Sequence, residues 1–131
     1  MAKLIHTMIR VFDLDRSFSF YSRAFGMRES HRLDFPDFML VYLRGADTDA
    51  EIELTVNKGR TEPYVHGDGY GHIGFAVTDI VGTRGQIEVL GFAPTPIKEF
   101  RQGEVLLARF FFVVDPDGYK IEVLERTGHY Q

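Results

Sequence analysis

The sequence contains no cysteine among its 131 residues. This absence excludes disulfide bonds, thiolate metal ligands and cysteine nucleophiles, and it fits a reducing compartment. The first six residues also lack the pattern of a secretory signal, in which a charged segment precedes a long apolar stretch. We therefore expect a cytoplasmic protein.

Long apolar runs and an excess of basic residues are missing too. The longest apolar run, residues 110–114, is far shorter than a helix needs to span a bilayer. The formal net charge is −4, whereas a nucleic-acid-binding surface needs a clustered basic excess. We expect no membrane and no nucleic acid among the partners, and a length of 131 residues suits one domain or two small ones that share a core.

The chain reads as two copies of one unit. A segment that begins at His6 resembles a segment that begins at His72, and the same spacing relates Asp13 to Asp79. In each copy, residues alternate as in a strand up to the aspartate, which then has the position of a helix N-cap. Self-similarity at a fixed spacing predicts two equivalent structural modules.

A helix is predicted after each of these aspartates. The first would bury a stripe made of Leu14, Phe18, Tyr21 and Phe25, and Gly26 would end it. The second is predicted over residues 80–90 before a glycine, and two internal glycines weaken it by about 1 kcal/mol each.

Each predicted helix is followed by two predicted strands. In the first copy they cover residues 38–43 and 51–56, and in the second copy residues 106–114 and 119–124. Residues 115–118, Asp-Pro-Asp-Gly, have the composition of a tight turn. Residues 98–104 are predicted to form a longer loop before the last strands.

Four polar residues occupy repeated positions on the first and last strands of the two copies. They are His6, Glu53, His72 and Glu122. Because side chains alternate between the faces of a strand, the aliphatic neighbours of these residues point the other way, towards the helices. Each residue alone would more often be an ordinary polar side chain. The repeat favours a shared concave site instead.

Two imidazoles and two carboxylates suit a divalent transition metal with water completing its shell. Such a metal polarises oxygen atoms and stabilises an enediolate, while a displaced carboxylate acts as a general base. The other three histidines, His31, His66 and His129, do not share this register, and we expect them at the surface.

The residues resemble the vicinal-oxygen-chelate superfamily and, within it, the glyoxalase I (lactoylglutathione lyase) family. The matching stretches lie in the order and spacing of that family at residues 6–11, 20–21 with 26–27, 53–57, 70–73 and 115–122. The resemblance implies an α+β fold of two tandem βαβββ modules, whose curved mixed sheets form a metal-containing cavity. The single glyoxalase-like domain would cover residues 1–131, with module 1 at about 1–58, a linker at about 59–70 and module 2 at about 71–131.

The resemblance also implies a reaction, in which the hemithioacetal of methylglyoxal and glutathione becomes S-lactoylglutathione by proton transfer through a metal-bound enediolate. Glu122 would be the principal base, Glu53 would act on the opposite face, and Arg10 and Asn57 would bind the glutathione part. The implied protein is a homodimer with its metal site at the subunit interface. The implied metal ligands are His6, Glu53, His72 and Glu122.

The short chain with histidine as first ligand is similar to the bacterial class activated by nickel or cobalt. We therefore expect Ni²⁺ or Co²⁺, with Zn²⁺ as the alternative, because the ligand types do not exclude it. The thiol and the role of residues 98–109, which in this family help to cover the substrate, stay open.

Two alternatives to this function remain open. The same scaffold supports other metalloenzymes, such as an epimerase-like lyase or an iron-dependent dioxygenase, although two glutamates disfavour the dioxygenase because a fourth ligand obstructs its iron. A non-catalytic protein that sequesters small molecules shares the fold but usually lacks the complete ligand set. The four retained ligands favour an enzyme.

Overall fold

The computed structural model describes all 131 residues, which form two units, Met1–Val65 and His66–Gln131. Unit 1 contains β1 (His6–Arg10), α1 (Leu14–Phe25), β2 (Arg28–Asp34), β3 (Phe38–Arg44) and β4 (Glu51–Asn57). Unit 2 contains β5 (Ile73–Val77), α2 (Ile80–Val89), β6 (Lys98–Gln102), β7 (Val105–Val114) and β8 (Lys120–Glu125). Each unit has one strand, one helix and then three strands, which confirms the predicted βαβββ modules.

Each unit has a four-stranded mixed sheet with the same connectivity. The strand order is β1-β4-β3-β2 in unit 1 and β5-β8-β7-β6 in unit 2. The first strand of each module runs parallel to the last one, and the remaining neighbours are antiparallel. This topology places the histidine-bearing and glutamate-bearing segments side by side in both units. The chain contains no helix with the length and apolarity that a bilayer crossing requires.

Helix α1 begins and ends as the sequence predicts. The Asp13 carboxylate accepts a hydrogen bond from the Arg16 backbone N–H at 3.1 Å, as an N-cap does. Gly26 has φ of 67°, and its N–H donates to the Ser22 carbonyl at 3.0 Å. Glycine adopts this left-handed conformation without the steric cost of a Cβ, and it therefore ends the helix.

The buried side of α1 is turned relative to the predicted stripe. Of that stripe only Tyr21 is buried, whereas Leu14, Phe18 and Phe25 are half-buried. The buried residues are Ser17, Phe20, Tyr21 and Ala24. These also follow the i, i+3, i+4, i+7 spacing of a helix face, but two of them are small. The prediction is wrong because its stripe ran through Phe18 and Phe25 and left out Phe20, which lies on the buried side with the two small residues.

The last strand of each module carries the core. Ile52 and Leu54 on β4, and Ile121 and Val123 on β8, are buried, as the aliphatic parity predicts. On β4 the opposite face is buried as well, because Glu53 is only 8% exposed. A carboxylate withdrawn from water to this extent needs partners that replace its hydration.

Residues 98–102 form strand β6, so the prediction of a loop over 98–104 is wrong. The strand pairs antiparallel with β7, with an irregularity between Phe100 and Arg101. It is an edge strand exposed along its whole length, as is β2 at the edge of the other sheet. A strand that buries neither face needs no apolar alternation, and charged residues are favoured on edges.

Two glycines in α2 have the same helix propensity but different surroundings. The Gly82 N–H donates to the Asp79 carboxylate at 2.9 Å, and a Cβ on Gly82 would overlap that carboxylate. Nothing lies within 4 Å of a Cβ on Gly85.

We expect Gly85→Ala to raise the free energy of unfolding by about 0.5–1 kcal/mol, because alanine loses less backbone entropy. Gly82→Ala should give no gain, since the new methyl group displaces a cap worth about 1 kcal/mol. Urea unfolding of the two variants beside the parent measures the difference. Equal stabilisation by both substitutions would contradict the role of the cap.

Candidate functional site

In unit 1, the parallel pairing of β1 with β4 brings His6 to Glu53. The register partner of Glu53 is Met8, so His6 lies two residues away on the same face. The His6 Nε2 is 2.9 Å from the Glu53 Oε2. The Glu53 side chain is 11% exposed and that of His6 is 34% exposed. The carboxylate of Glu53 is therefore more deeply buried in this face of the sheet than the imidazole of His6.

Unit 2 repeats this arrangement with His72 and Glu122. The register partner of Glu122 is Gly74, and His72 again precedes that partner by two residues. The His72 Nε2 is 2.8 Å from the Glu122 Oε2, and both side chains are more exposed than their counterparts in unit 1. The sequence repeat is thus also a repeat of geometry.

The structure brings the four predicted ligands together as two pairs, each within one unit. No group of three or more His, Asp or Glu side chains arranged to hold a metal is found. In each pair an imidazole nitrogen lies next to a carboxylate oxygen, at 2.9 Å and 2.8 Å, and both are donors that divalent transition metals accept. A single pair supplies two ligands, whereas metal sites with an open position commonly take three from the protein.

Tyr42, which the sequence analysis did not single out, completes the surroundings of Glu53. It is the register partner of Glu53 on β3, and its ring stands edge-on to the His6 ring with centroids 5.7 Å apart. The Tyr42 side chain therefore lies beside Glu53 on the same face of the sheet. Burial, and then the charge of Glu53, raise the pKa of the Tyr42 hydroxyl, so it remains a donor at neutral pH.

Unit 2 has a phenylalanine in the corresponding place. Phe112 is the register partner of Glu122 on β7, and its ring stands edge-on to the His72 ring with centroids 5.6 Å apart. The Lys120 Nζ lies 4.1 Å from the centre of the Phe112 ring. The two pairs therefore have matching aromatic rings beside the imidazole, but only unit 1 has a phenolic hydroxyl.

Glu51 lies on the same face of β4 as Glu53 but has other partners. The Ser30 hydroxyl hydrogen-bonds its carboxylate, and Arg44 lies 3.4 Å from it. These two groups lower the pKa of Glu51 despite its partial burial, with the Ser30 bond as the larger cause. The Glu51 carboxylate thus has its partners on β2 and β3, and the ion pair with His6 is formed by Glu53.

Arg10 and Asn57 share the sheet face of the first pair. Arg10 is the register partner of Thr55, and Asn57 follows Thr55 by two residues on β4. The Asn57 side-chain amide donates to the Tyr64 hydroxyl at 3.0 Å, and Arg60 stacks over the Tyr64 ring at 4.2 Å. The Thr55 hydroxyl is buried without a hydrogen-bond partner. This face of the sheet therefore carries further polar groups in addition to the His6–Glu53 pair.

Of the three remaining histidines, two lie at the surface as predicted. His31 on β2 and His129 near the C-terminus are exposed. His66 is half-buried, and its ring stacks on Tyr119 at 4.0 Å with an interplanar angle of 8°. The prediction of a surface position is wrong for His66, because an imidazole provides an aromatic face that packs on tyrosine.

The fold and the repeated pairs have counterparts in known proteins. Residues 3–123 match the model of the Glyoxalase/Bleomycin resistance protein/Dioxygenase superfamily. The chain belongs to this superfamily.

Individual relatives narrow the assignment. The chain is 42% identical to the lactoylglutathione lyase of Haemophilus influenzae, with 94% of this chain and 92% of the relative covered. It is also 42% identical to a probable lactoylglutathione lyase of Synechocystis sp., with 95% of each chain covered. A solved structure, the trypanothione-dependent glyoxalase I of Leishmania major, superposes with a TM-score of 0.78 at 36% identity, covering 95% of this chain and 87% of that one. Within the superfamily, the chain belongs with the lactoylglutathione lyases.

Proposed function

We propose that this protein is a glyoxalase I, which isomerises the hemithioacetal of methylglyoxal and glutathione to S-lactoylglutathione. The observation that carries the proposal is the pair of matching histidine–glutamate contacts, at 2.9 Å and 2.8 Å, in a chain whose full-length relatives are lactoylglutathione lyases. We further propose a cytoplasmic homodimer with the metal site at its subunit interface.

We propose that His6, Glu53, His72 and Glu122 hold one divalent metal. Two imidazole nitrogens and two carboxylate oxygens fit Ni²⁺ or Co²⁺, which we favour, and also Zn²⁺. A metal held by these residues would polarise the oxygen atoms of the substrate. One pair alone offers two ligands, so the proposal requires both pairs to act on the same ion.

Glu122 is the proposed base. A carboxylate oxygen of Glu122 takes the proton from the carbon that bears the sulfur, and the proton is delivered to the neighbouring carbon. The hydroxyl proton passes from the first oxygen to the second, so the thioester forms with no oxidant and no net proton change. Glu53 would act as a base on the opposite face of the substrate. The greater exposure of Glu122, 20% against 11% for Glu53, supports its assignment as the mobile carboxylate.

The polar face of unit 1 is the proposed site for the thiol part of the substrate. Arg10 would pair with a glutathione carboxylate, for which the guanidinium offers two parallel donors. Asn57 would bind a peptide group of the tripeptide, held in place by its hydrogen bond to Tyr64 at 3.0 Å. Ala76, at the position of unit 2 that is equivalent to Arg10, offers no such group.

A related thiol is the second candidate substrate. The Leishmania major enzyme, 36% identical to this chain, is trypanothione-dependent. The same proton transfer on a trypanothione hemithioacetal would need the same four ligands and a different thiol subsite. Thiol specificity therefore has to be measured separately from the reaction.

The test begins with protein stripped of metal by a chelator and reloaded separately with nickel, cobalt, zinc or iron. We expect thioester formation from methylglyoxal and glutathione to return with nickel or cobalt, and to stay at background without metal. The same assay with trypanothione compares the two thiols. Stoichiometric metal binding without turnover on either thiol would contradict the proposed reaction and favour another enzyme of the superfamily. Failure to bind any metal would favour a sequestering protein.

A further inference from the structure

The two glutamates occupy equivalent positions but have different neighbours across the sheet. Glu53 lies between Met8 and Tyr42, whereas Glu122 lies between Gly74 and Phe112. Of these four neighbours only tyrosine has a side chain that donates a hydrogen bond. The two modules therefore differ at this position, because Glu53 has the hydroxyl group of Tyr42 beside it and Glu122 has no equivalent hydroxyl.

The Tyr42 ring is itself held in place. His6 stands edge-on to it at 5.7 Å, and the His31 ring lies 5.9 Å away. The ring fixed between these contacts belongs to the register partner of Glu53, on the same face of the sheet. The side chain of Glu53 is 11% exposed, so little water competes for a hydrogen bond from the Tyr42 hydroxyl.

The Phe112 ring has the same relation to His72, with a centroid distance of 5.6 Å, but gives Glu122 no donor. The neighbouring ammonium group of Lys120 lies over the Phe112 ring, 4.1 Å from its centre. Glu122 thus contacts His72 at 2.8 Å without a phenolic hydroxyl to restrain the carboxylate.

We propose that Tyr42 is a positioning residue that restrains Glu53 as the less mobile of the two glutamate ligands, and that Phe112 in the equivalent place leaves Glu122 free to move as the principal base. The inference rests on the proposed function for the metal and the base. It adds a physical reason why two glutamates related by the internal repeat have unequal roles.

A double-mutant cycle in metal affinity tests the first half of this proposal. We expect Tyr42→Phe to weaken nickel binding about 10-fold, the lower end of the usual effect of losing a hydrogen bond to a metal ligand. The loss should disappear in a Glu53→Ala background and persist in a Glu122→Ala background, because the hydroxyl acts through Glu53. Tyr130→Phe, which removes a hydroxyl in unit 2, is the control and should leave the affinity unchanged. Equal losses in both alanine backgrounds, or no loss in the parent, would overturn the proposal.

Phe112→Tyr tests the second half. The added hydroxyl should restrain Glu122, so we expect kcat to fall about 10-fold or more with KM and nickel affinity retained. An unchanged kcat would contradict the need for a mobile Glu122.

A metal-free measurement separates this inference from the proposed function. Tyr42→Phe and Glu53→Ala should have non-additive effects on the urea midpoint of the stripped protein, because they remove the two ends of one hydrogen bond. If the parent bound no nickel, the proposed function would fail while this cycle would still decide the role of Tyr42. Additive effects would show that Tyr42 does not hold Glu53.

Discussion

Glu122→Gln is expected to lower kcat of the nickel-loaded protein by about 10²- to 10⁴-fold, the usual contribution of a general base. Glutamine has nearly the same shape as glutamate and still offers an oxygen to a metal, but it does not accept the substrate proton. Steady-state kinetics with measured metal content per chain separate the loss of the base from loss of nickel.

Glu125→Gln is the matched control for this prediction. Glu125 lies on the same strand, and its carboxylate contacts Arg109 at 3.2 Å. Glu125 points to the opposite face of the strand from Glu122, so loss of its half-buried ion pair should leave kcat within about 2-fold. Full activity in a nickel-loaded Glu122→Gln protein would remove Glu122 from the mechanism.

His6→Ala and His72→Ala are each expected to weaken nickel binding by about 100-fold or more, since removal of a ligand should cost at least as much as loss of the groups that orient one. The two effects should be similar in size because the two pairs have the same geometry, with contacts at 2.9 Å and 2.8 Å. Competition with a chromophoric chelator measures both.

His129→Ala serves as the control for the histidine variants. Its side chain is exposed and lies outside the two pairs and away from Tyr42, so nickel affinity should be unchanged. If only one of the His6→Ala and His72→Ala variants lost nickel affinity, the metal would be bound by the residues of one unit alone.

The strands that carry the two histidines and two glutamates were predictable from the sequence, because each of these strands buries its aliphatic face. The buried residues Ile52, Leu54, Ile121 and Val123 flank the two glutamates and fix their parity. The Asp13 and Asp79 caps mark where each first strand gives way to a helix. Repetition then identified the histidines and glutamates as equivalent without any knowledge of their contacts.

Two edge strands were not predictable in the same way. β2 and β6 are exposed throughout, so their residues carry no period-2 signal. The buried face of α1 was also mistaken, because Ser17 and Ala24 have side chains too small to stand out in an apolar pattern.

Tyr42 was not predictable because its relation to Glu53 depends on the register of a hairpin. β3 ends at Arg44 and β4 begins at Glu51, and the length of the intervening turn alone does not fix which residues face each other. A shift of one residue would have moved the Tyr42 side chain to the helix side of the sheet. The same limit applied to Phe112 on β7.

The location of the metal tests the central claim most directly. Anomalous diffraction from crystals of the nickel-loaded protein should show one nickel ion per chain. We predict that His6, Glu53, His72 and Glu122 all coordinate it at about 2.0–2.2 Å. Separate ions on the two pairs, or nickel bound elsewhere, would contradict the account.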